Sequence, residues 1–181
     1  MQPIETPKGN VTFRPASFAD APKFRELRLF ALKDTPTAFS ADYYASQNAP
    51  ISYWEGRLKP NEGSIMFFAE HEGNLVGMIG VQRGDRPKTR HSAGVWGVYV
   101  LPEWRGFRIA ASLIESCAIW AKSRKVEILK LAVVTTNQPA IRCYERCGFK
   151  TYGADPRVIN YEGKYYDEYL MAKEITKQVP G

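Results

Sequence analysis

Two short segments of this 181-residue chain combine residue types whose chemistry and spacing are informative. In the first, Val98-Tyr99-Val100-Leu101-Pro102 reads as a buried strand stopped by proline. Arg105-Gly106-Phe107-Arg108-Ile109-Ala110-Ala111 then reads as a basic, glycine-containing turn that runs into a helix. A helix start carries N–H groups with no intrahelical acceptor and the positive end of the helix dipole. With Arg105, Gly106 and Arg108 gathered there, the turn suits a pyrophosphate. It equally suits an ordinary strand–turn–helix connection with surface arginines. In the second segment, Asn137 precedes Pro139 and can cap a helix over 139–147, which carries Tyr144 and ends at Gly148. Tyr144, near Ile141 and Phe149, also fits a core aromatic whose hydroxyl finds a partner.

Other chemistry is poorly represented. The chain has no GxGxxG or GxxxxGK[ST] phosphate motif, no HExxH and no GxSxG. His71 and His91 are its only histidines, too few for a histidine-based metal site. Cys143 and Cys147 lie four apart on one helix face with no further Cys or His nearby, so they and Cys117 read as small apolar residues. Three cysteines make an odd count, which argues against a disulfide framework and for a reducing compartment.

The elements that must position the two segments follow from hydropathy. Residues 1–10 read as a loose arm and 11–175 as one domain. A strand over 11–16 leads to a helix capped by Asp20 and running to Lys33. Residues 34–50 are turn-rich and aromatic, and 51–58 form a short helix closed by Pro60. Strands 64–70 and 75–81 are joined by Glu72-Gly73-Asn74 as a hairpin. A third strand, 94–101, precedes a helix from about Gly106 to Lys122 whose apolar residues recur at helical spacing. The nearly continuous apolar run 128–134 suits a strand buried on both faces. Strands 149–153 and 165–173 complete an α/β fold: a mixed twisted sheet with helices on both faces and one strand–helix–strand crossover.

Taken together, Arg105 to Ala110, similar to the Q/R-x-x-G-x-G/A pyrophosphate loop, and Asn137 followed by Tyr144 and Gly148-Phe149 resemble the Gcn5-related N-acetyltransferase (GNAT) family. The order of elements is similar over about residues 11–173. The resemblance implies transfer of an acetyl group from acetyl-CoA to a primary amine by direct attack in a ternary complex. It implies that the backbones of Val98 and Val100 pair with the pantetheine arm like an added strand. It assigns the pyrophosphate to the main chain of Arg105, Gly106, Phe107, Arg108, Ile109, Ala110 and Ala111, and the cofactor arm to Asn137. Tyr144 would protonate the leaving thiolate, and the Val98 N–H would face the carbonyl oxygen.

Two positions depart from the family pattern. Arg108 stands where glycine is usual, so its side chain is expected to point outward. Gly94 and Ala132 occupy the positions where a carboxylate base is often found, and neither takes a proton. Asp85, Asp167 and Glu168 are the acidic residues to inspect, each also suited to a solvated surface. An acceptor cleft would draw on Phe39, Tyr43, Tyr44, Trp54, Trp96, Tyr161, Tyr165 and Tyr166, at least half of which suit core or rim packing.

With 44% hydrophobic and 24% charged residues the chain reads as a soluble globular protein rather than a disordered one. A net charge of +6 favours an anionic partner. There is no basic stripe with interleaved aromatics, so nucleic acid ranks last. No signal-peptide core or 18-residue apolar run occurs, and a cytoplasmic location without membrane contact is expected. A catalytically silent acyl-CoA-binding module is the alternative to an enzyme. Family members are often homodimers, which no feature of the sequence itself shows.

Overall fold

A computed structural model describes residues 2–59 and 61–175. The chain runs β1 (Ile4–Thr6), β2 (Gly9–Pro15), α1 (Ala21–Asp34), α2 (Tyr43–Gln47), α3 (Ile51–Leu58), β3 (Ser64–His71), β4 (Asn74–Arg83), β5 (Ser92–Val100), α4 (Ile109–Ser123), β6 (Ile128–Val134), α5 (Gln138–Arg146), β7 (Lys150–Tyr161) and β8 (Lys164–Glu174). The strands form one sheet in the order β1-β2-β3-β4-β5-β6-β8-β7. Every neighbouring pair is antiparallel except β5 and β6, which are joined through α4. A parallel pair needs such a crossover, because a tight turn cannot bring the chain back to the same end.

Helices cover both faces, as expected. On one face α4 and α5 bury Ile109, Leu113, Cys117, Ile141 and Tyr144 against Ala69, Ile79, Leu129, Leu131 and Val133. On the other, Phe24 and Leu27 of α1 and Trp54 of α3 pack on Met66, Phe68, Met78 and Tyr99. Phe24 meets the Trp54 ring edge-on at 5.4 Å between centroids. The alternation of a strand explains the split: Phe68 and Ala69, or Met78 and Ile79, necessarily face opposite layers. Leu75 to Val81 is buried throughout, as a central strand between two helical layers requires. Glu72 and Gly73 turn the β3–β4 hairpin with both φ positive, the twist that two-residue hairpins favour.

Four expectations are corrected. The loose arm contains β1, which pairs with β2 from Ile4↔Val11 to Thr6↔Gly9. Thr6 fixes the turn: its hydroxyl donates to the Gly9 carbonyl at 2.7 Å and accepts from the Lys8 N–H at 3.1 Å. The segment 34–50 holds α2, capped where the Asp42 carboxylate accepts from the Ala45 N–H at 2.7 Å. Helix α4 starts at Ile109 rather than near Gly106 because Gly106 and Arg108 are both left-handed, at φ 88° and 62°. Finally, β7 continues to Tyr161, far past Gly153. Its residues are mostly exposed, so no apolar alternation marks it. Backbone pairing to β8 holds it, with the Arg157 N–H donating to Asp167 at 2.9 Å beside a bulge.

Candidate active site

The site is organised by an incomplete rung pattern. β5 and β6 pair only at Ser92↔Ile128, Ala93↔Leu129 and Gly94↔Lys130. Beyond Gly94 the two strands part. A bulge in the β4–β5 register between Met78 and Gly80, with Gly97 at φ 65°, turns β5 away from its neighbour. The Leu101 N–H donates to the Val76 carbonyl of β4 at 3.0 Å. Because backbone groups alternate sides along a strand, Val100 and Val98 turn theirs the other way, into the gap. The Val100 carbonyl is already used there: the Arg105 Nε donates to it at 3.0 Å.

The gap opens into a cleft of about 90 Å³ lined by Phe39, Trp96, Val98, Ala132, Asn137 and Tyr144 among others. Asn137 caps α5, its side-chain oxygen accepting from the Ala140 N–H at 3.3 Å, which leaves its amide NH₂ to the cleft. Tyr144, two turns later, is buried, and its ring meets Phe149 edge-on at 6.1 Å. Among the described residues no protein group hydrogen-bonds its hydroxyl. Burial pushes that hydroxyl well above the usual tyrosine range, with smaller contributions from Cys143 and Cys147. A phenol in this state keeps its proton at any physiological pH and has an O–H to donate. Trp96 reaches the cleft because Gly80 lies under its indole; a Cβ on Gly80 would collide with the ring.

The turn before α4 sits at the end of the same strand. Arg108 occupies the N-cap position and makes no side-chain cap, and the first intrahelical bond is Ser112 N–H to the Arg108 carbonyl at 3.1 Å. The N–H groups of Ile109, Ala110 and Ala111 therefore have no acceptor within the helix. Open space surrounds the Cα of Gly106, and the Arg108 side chain is exposed, as expected for an outward arginine. Phe107 and Ile109 pack into the core, so only their main chain can serve a ligand. Arg105 is held by neighbours: Nη2 lies 2.5 Å from Asp34 Oδ2, which also accepts from the Tyr99 hydroxyl at 2.8 Å. Burial opposes the charge on Asp34, yet Arg105 and Tyr99 keep its carboxyl below the ordinary value. The same bond and burial raise Tyr99. Asp34, the last residue of α1, escaped sequence reasoning because its partners lie far along the chain and no motif joins them.

Of the three acids, Asp85 is exposed on the loop between β4 and β5 and does not line the cleft. Asp167 is taken up by the β7 bulge. Glu168 stands opposite Val134, a cleft residue, on β8. It is half-buried, and burial, then the facing Asp155 carboxylate, raises its pKa. Of the aromatics, Phe39 and Trp96 line the cleft. Trp54 is core, while Tyr44, Tyr161 and Tyr165 are exposed.

The acetyltransferase (GNAT) family profile matches residues 25–149, which contain both chemically marked segments. The L-amino acid N-acetyltransferase AaaT of Escherichia coli is 31% identical over 124 residues, 66% of this chain and 74% of that protein. The streptothricin acetyltransferase of Escherichia coli is 35% identical over 121 residues, covering 63% and 67%. The solved GNAT-family acetyltransferase of Streptococcus pneumoniae superposes with a TM-score of 0.81 at 24% identity, over 92% of this chain and 99% of that one. The yncA protein of Salmonella typhimurium, solved with its cofactor acetyl-CoA, gives 0.76 at 20% identity over 96% and 98%. A parted parallel strand pair, an uncapped helix start beside it and a match across most of the domain lead to one conclusion: the chain belongs to the GNAT family and is an acetyl-CoA-dependent N-acetyltransferase.

Proposed function

We propose that the protein moves the acetyl group of acetyl-CoA to a primary amine by direct attack, with donor and acceptor held together in the cleft between β5 and β6. The observation that carries this is the parting of those strands after Gly94, with Tyr144, mostly buried and its hydroxyl in no protein hydrogen bond among the described residues, lining the gap. Acetyl-CoA supplies the activated acyl group as a thioester. The backbones of Val98 and Val100 bind its arm as an added strand, using the N–H of Val100 because Arg105 occupies its carbonyl. Main-chain N–H groups from Gly106 to Ala111 hold the diphosphate. Asn137 steadies the arm through its free NH₂. The Val98 N–H stabilises charge on the carbonyl oxygen. Tyr144 delivers a proton to the departing sulfur.

An amine with a lysine-like pKa of roughly 10 arrives mostly protonated at pH 7. Glu168, raised by burial and Asp155, receives that proton through water. Three free cysteines fit residence in a reducing cytoplasm. Isothermal calorimetry with acetyl-CoA tests the cofactor site, and its failure overturns the whole reading. Tyr144→Phe tests the acid: kcat, followed by thiol release, falls roughly 10²-fold or more while acetyl-CoA affinity and melting temperature hold. A kcat within threefold of wild type removes Tyr144 from the mechanism.

A further inference from the structure

We propose that the acceptor amine carries a carboxylate or similar anionic group, and that Arg57 of α3 receives it beside Trp96, with the buried Arg28 of α1 adding its charge. This rests on the transferase reading and names its substrate class. Among the described residues two arginines are matched to acids. Arg14 is bonded to both Asp20 and Glu70, and Arg105 to Asp34. Arg28 and Arg57 are not in an ion pair among the described residues, and what sets them apart from the other unpaired arginines is that they pack on Phe39 and Trp96, which line the cleft. Arg28 is only 8% exposed, and its Nη1 is buried without a hydrogen-bond partner. Its guanidinium lies 4.1 Å from the Phe39 ring centre, and Phe39 lines the cleft. Arg57 stacks 5.2 Å from the Trp96 ring, donates to the Tyr53 hydroxyl at 3.2 Å, and has a buried Nε without a partner.

A buried cation with no counter-charge is costly, and a second cation beside it adds to the cost. The strain registers on Arg28, which burial first and Arg57 second push down to about 10. A ligand anion at Arg57, which lines a cavity, supplies the missing counter-charge to it and, through space, to the buried Arg28 behind it. The surroundings give it room. Trp96 lines the cofactor cleft and also a second cavity of about 190 Å³, whose wall includes Arg57, Lys59, Leu58, Ile65 and Met66. That cavity offers two cations and an apolar floor, and no acid lines it. Its chemistry matches a small apolar amino acid: amine toward the cleft, carboxylate at Arg57, side chain on the floor. The same cations repel polyamines, so specificity arises as much from exclusion as from attraction.

The test compares leucine, leucinamide and 3-methylbutylamine as acceptors, with spermidine as a polycation, by thiol release from acetyl-CoA. The expected result is a kcat/KM for leucine about tenfold or more above the amide and the amine, with spermidine poorest. Arg57→Gln collapses the leucine-to-leucinamide ratio toward one, mainly through the KM for leucine. Calorimetry with acetyl-CoA on the same preparations separates the two levels of the argument. If acetyl-CoA binds but neutral amines or spermidine match leucine, or none of the four is acetylated, or Arg57→Gln leaves the ratio intact, the anionic-acceptor inference is wrong. The transferase reading survives those results wherever turnover of any amine is seen. If acetyl-CoA does not bind, both fall.

Discussion

Arg108 offers a perturbation whose two effects run in opposite directions. It sits at φ 62°, ψ 11°, a left-handed conformation held by a residue with a side chain. That conformation costs a non-glycine residue about 1–2 kcal/mol. Arg108→Gly removes the cost but gives the unfolded chain more freedom, returning about 0.4–1 kcal/mol. The net gain is about 0.5–1 kcal/mol, or a melting temperature about 1–4 °C higher for a domain of this size. The same change deletes an exposed positive charge beside an anionic cofactor. Exposed charges contribute about 0.2–1 kcal/mol, so acetyl-CoA binding weakens up to about fivefold at low salt and less at high salt. Arg108→Ala separates the two: it loses the charge yet keeps the left-handed cost, so it shares the affinity loss without the thermal gain. Differential scanning calorimetry and isothermal titration on the three proteins read both effects. A glycine variant that bound acetyl-CoA several-fold more tightly than wild type would refute the outward arginine and make Arg108 a steric obstruction.

Three further outcomes follow from named contacts. Asp155 raises Glu168, so Asp155→Asn shifts the acidic limb of the kcat/KM profile to lower pH, because the base then loses its proton earlier; an unmoved limb excludes Glu168 as the base. Arg14 and Ser17 hold the Asp20 carboxyl at about 2, against the opposing effect of its burial. A depressed folded pKa stabilises above the unfolded value near 3.9 and is lost as pH falls through the folded one. Asp20→Asn therefore costs about 1–2 kcal/mol at pH 7, and its melting curve converges on that of wild type between about pH 4 and pH 2; a constant gap would contradict the linkage. Gly80→Ala drives a Cβ into the Trp96 indole, so that the rigid ring must shift as a whole, and costs about 1–3 kcal/mol together with a raised acceptor KM. A melting temperature within 1 °C of wild type would show that the ring relocates freely.

What the sequence revealed was what is local. The strand–turn–helix around Arg105 to Ala111 and the cap-to-tyrosine spacing from Asn137 to Tyr144 each lie within one stretch of chain, so residue order alone exposed them. The helices α1 and α3 and strand β6 emerged for the same reason, since their apolar periodicity is continuous. What was hidden depends on pairing across distance. Asp34 reaches Arg105 and Tyr99 only after α1 has packed on the sheet. Glu168 meets Asp155 through a register that two bulges in β7 reset. Arg28 and Arg57 look like ordinary surface arginines of amphipathic helices until the fold closes Phe39 and Trp96 over them. The length of β7 was illegible because a solvated ribbon carries no hydrophobic code, and no propensity foretells an arginine in a left-handed turn.

The three rungs that join β5 to β6 make the sheet two panels with a seam. Below the seam the panels are stitched; above it nothing in the sheet holds them, and the helices on either side act as the only straps. A molecule wedged into the opening becomes a fastener as well as a reactant. The unloaded chain thus has a built-in line of weakness, and those amides of Leu131 to Val134 that face β5 rather than β8 exchange with solvent more readily than those of the central strand until the wedge is filled. Catalysis and cohesion then share one location, so each departure of spent carrier briefly unbuttons the protein along the line where its next turnover begins.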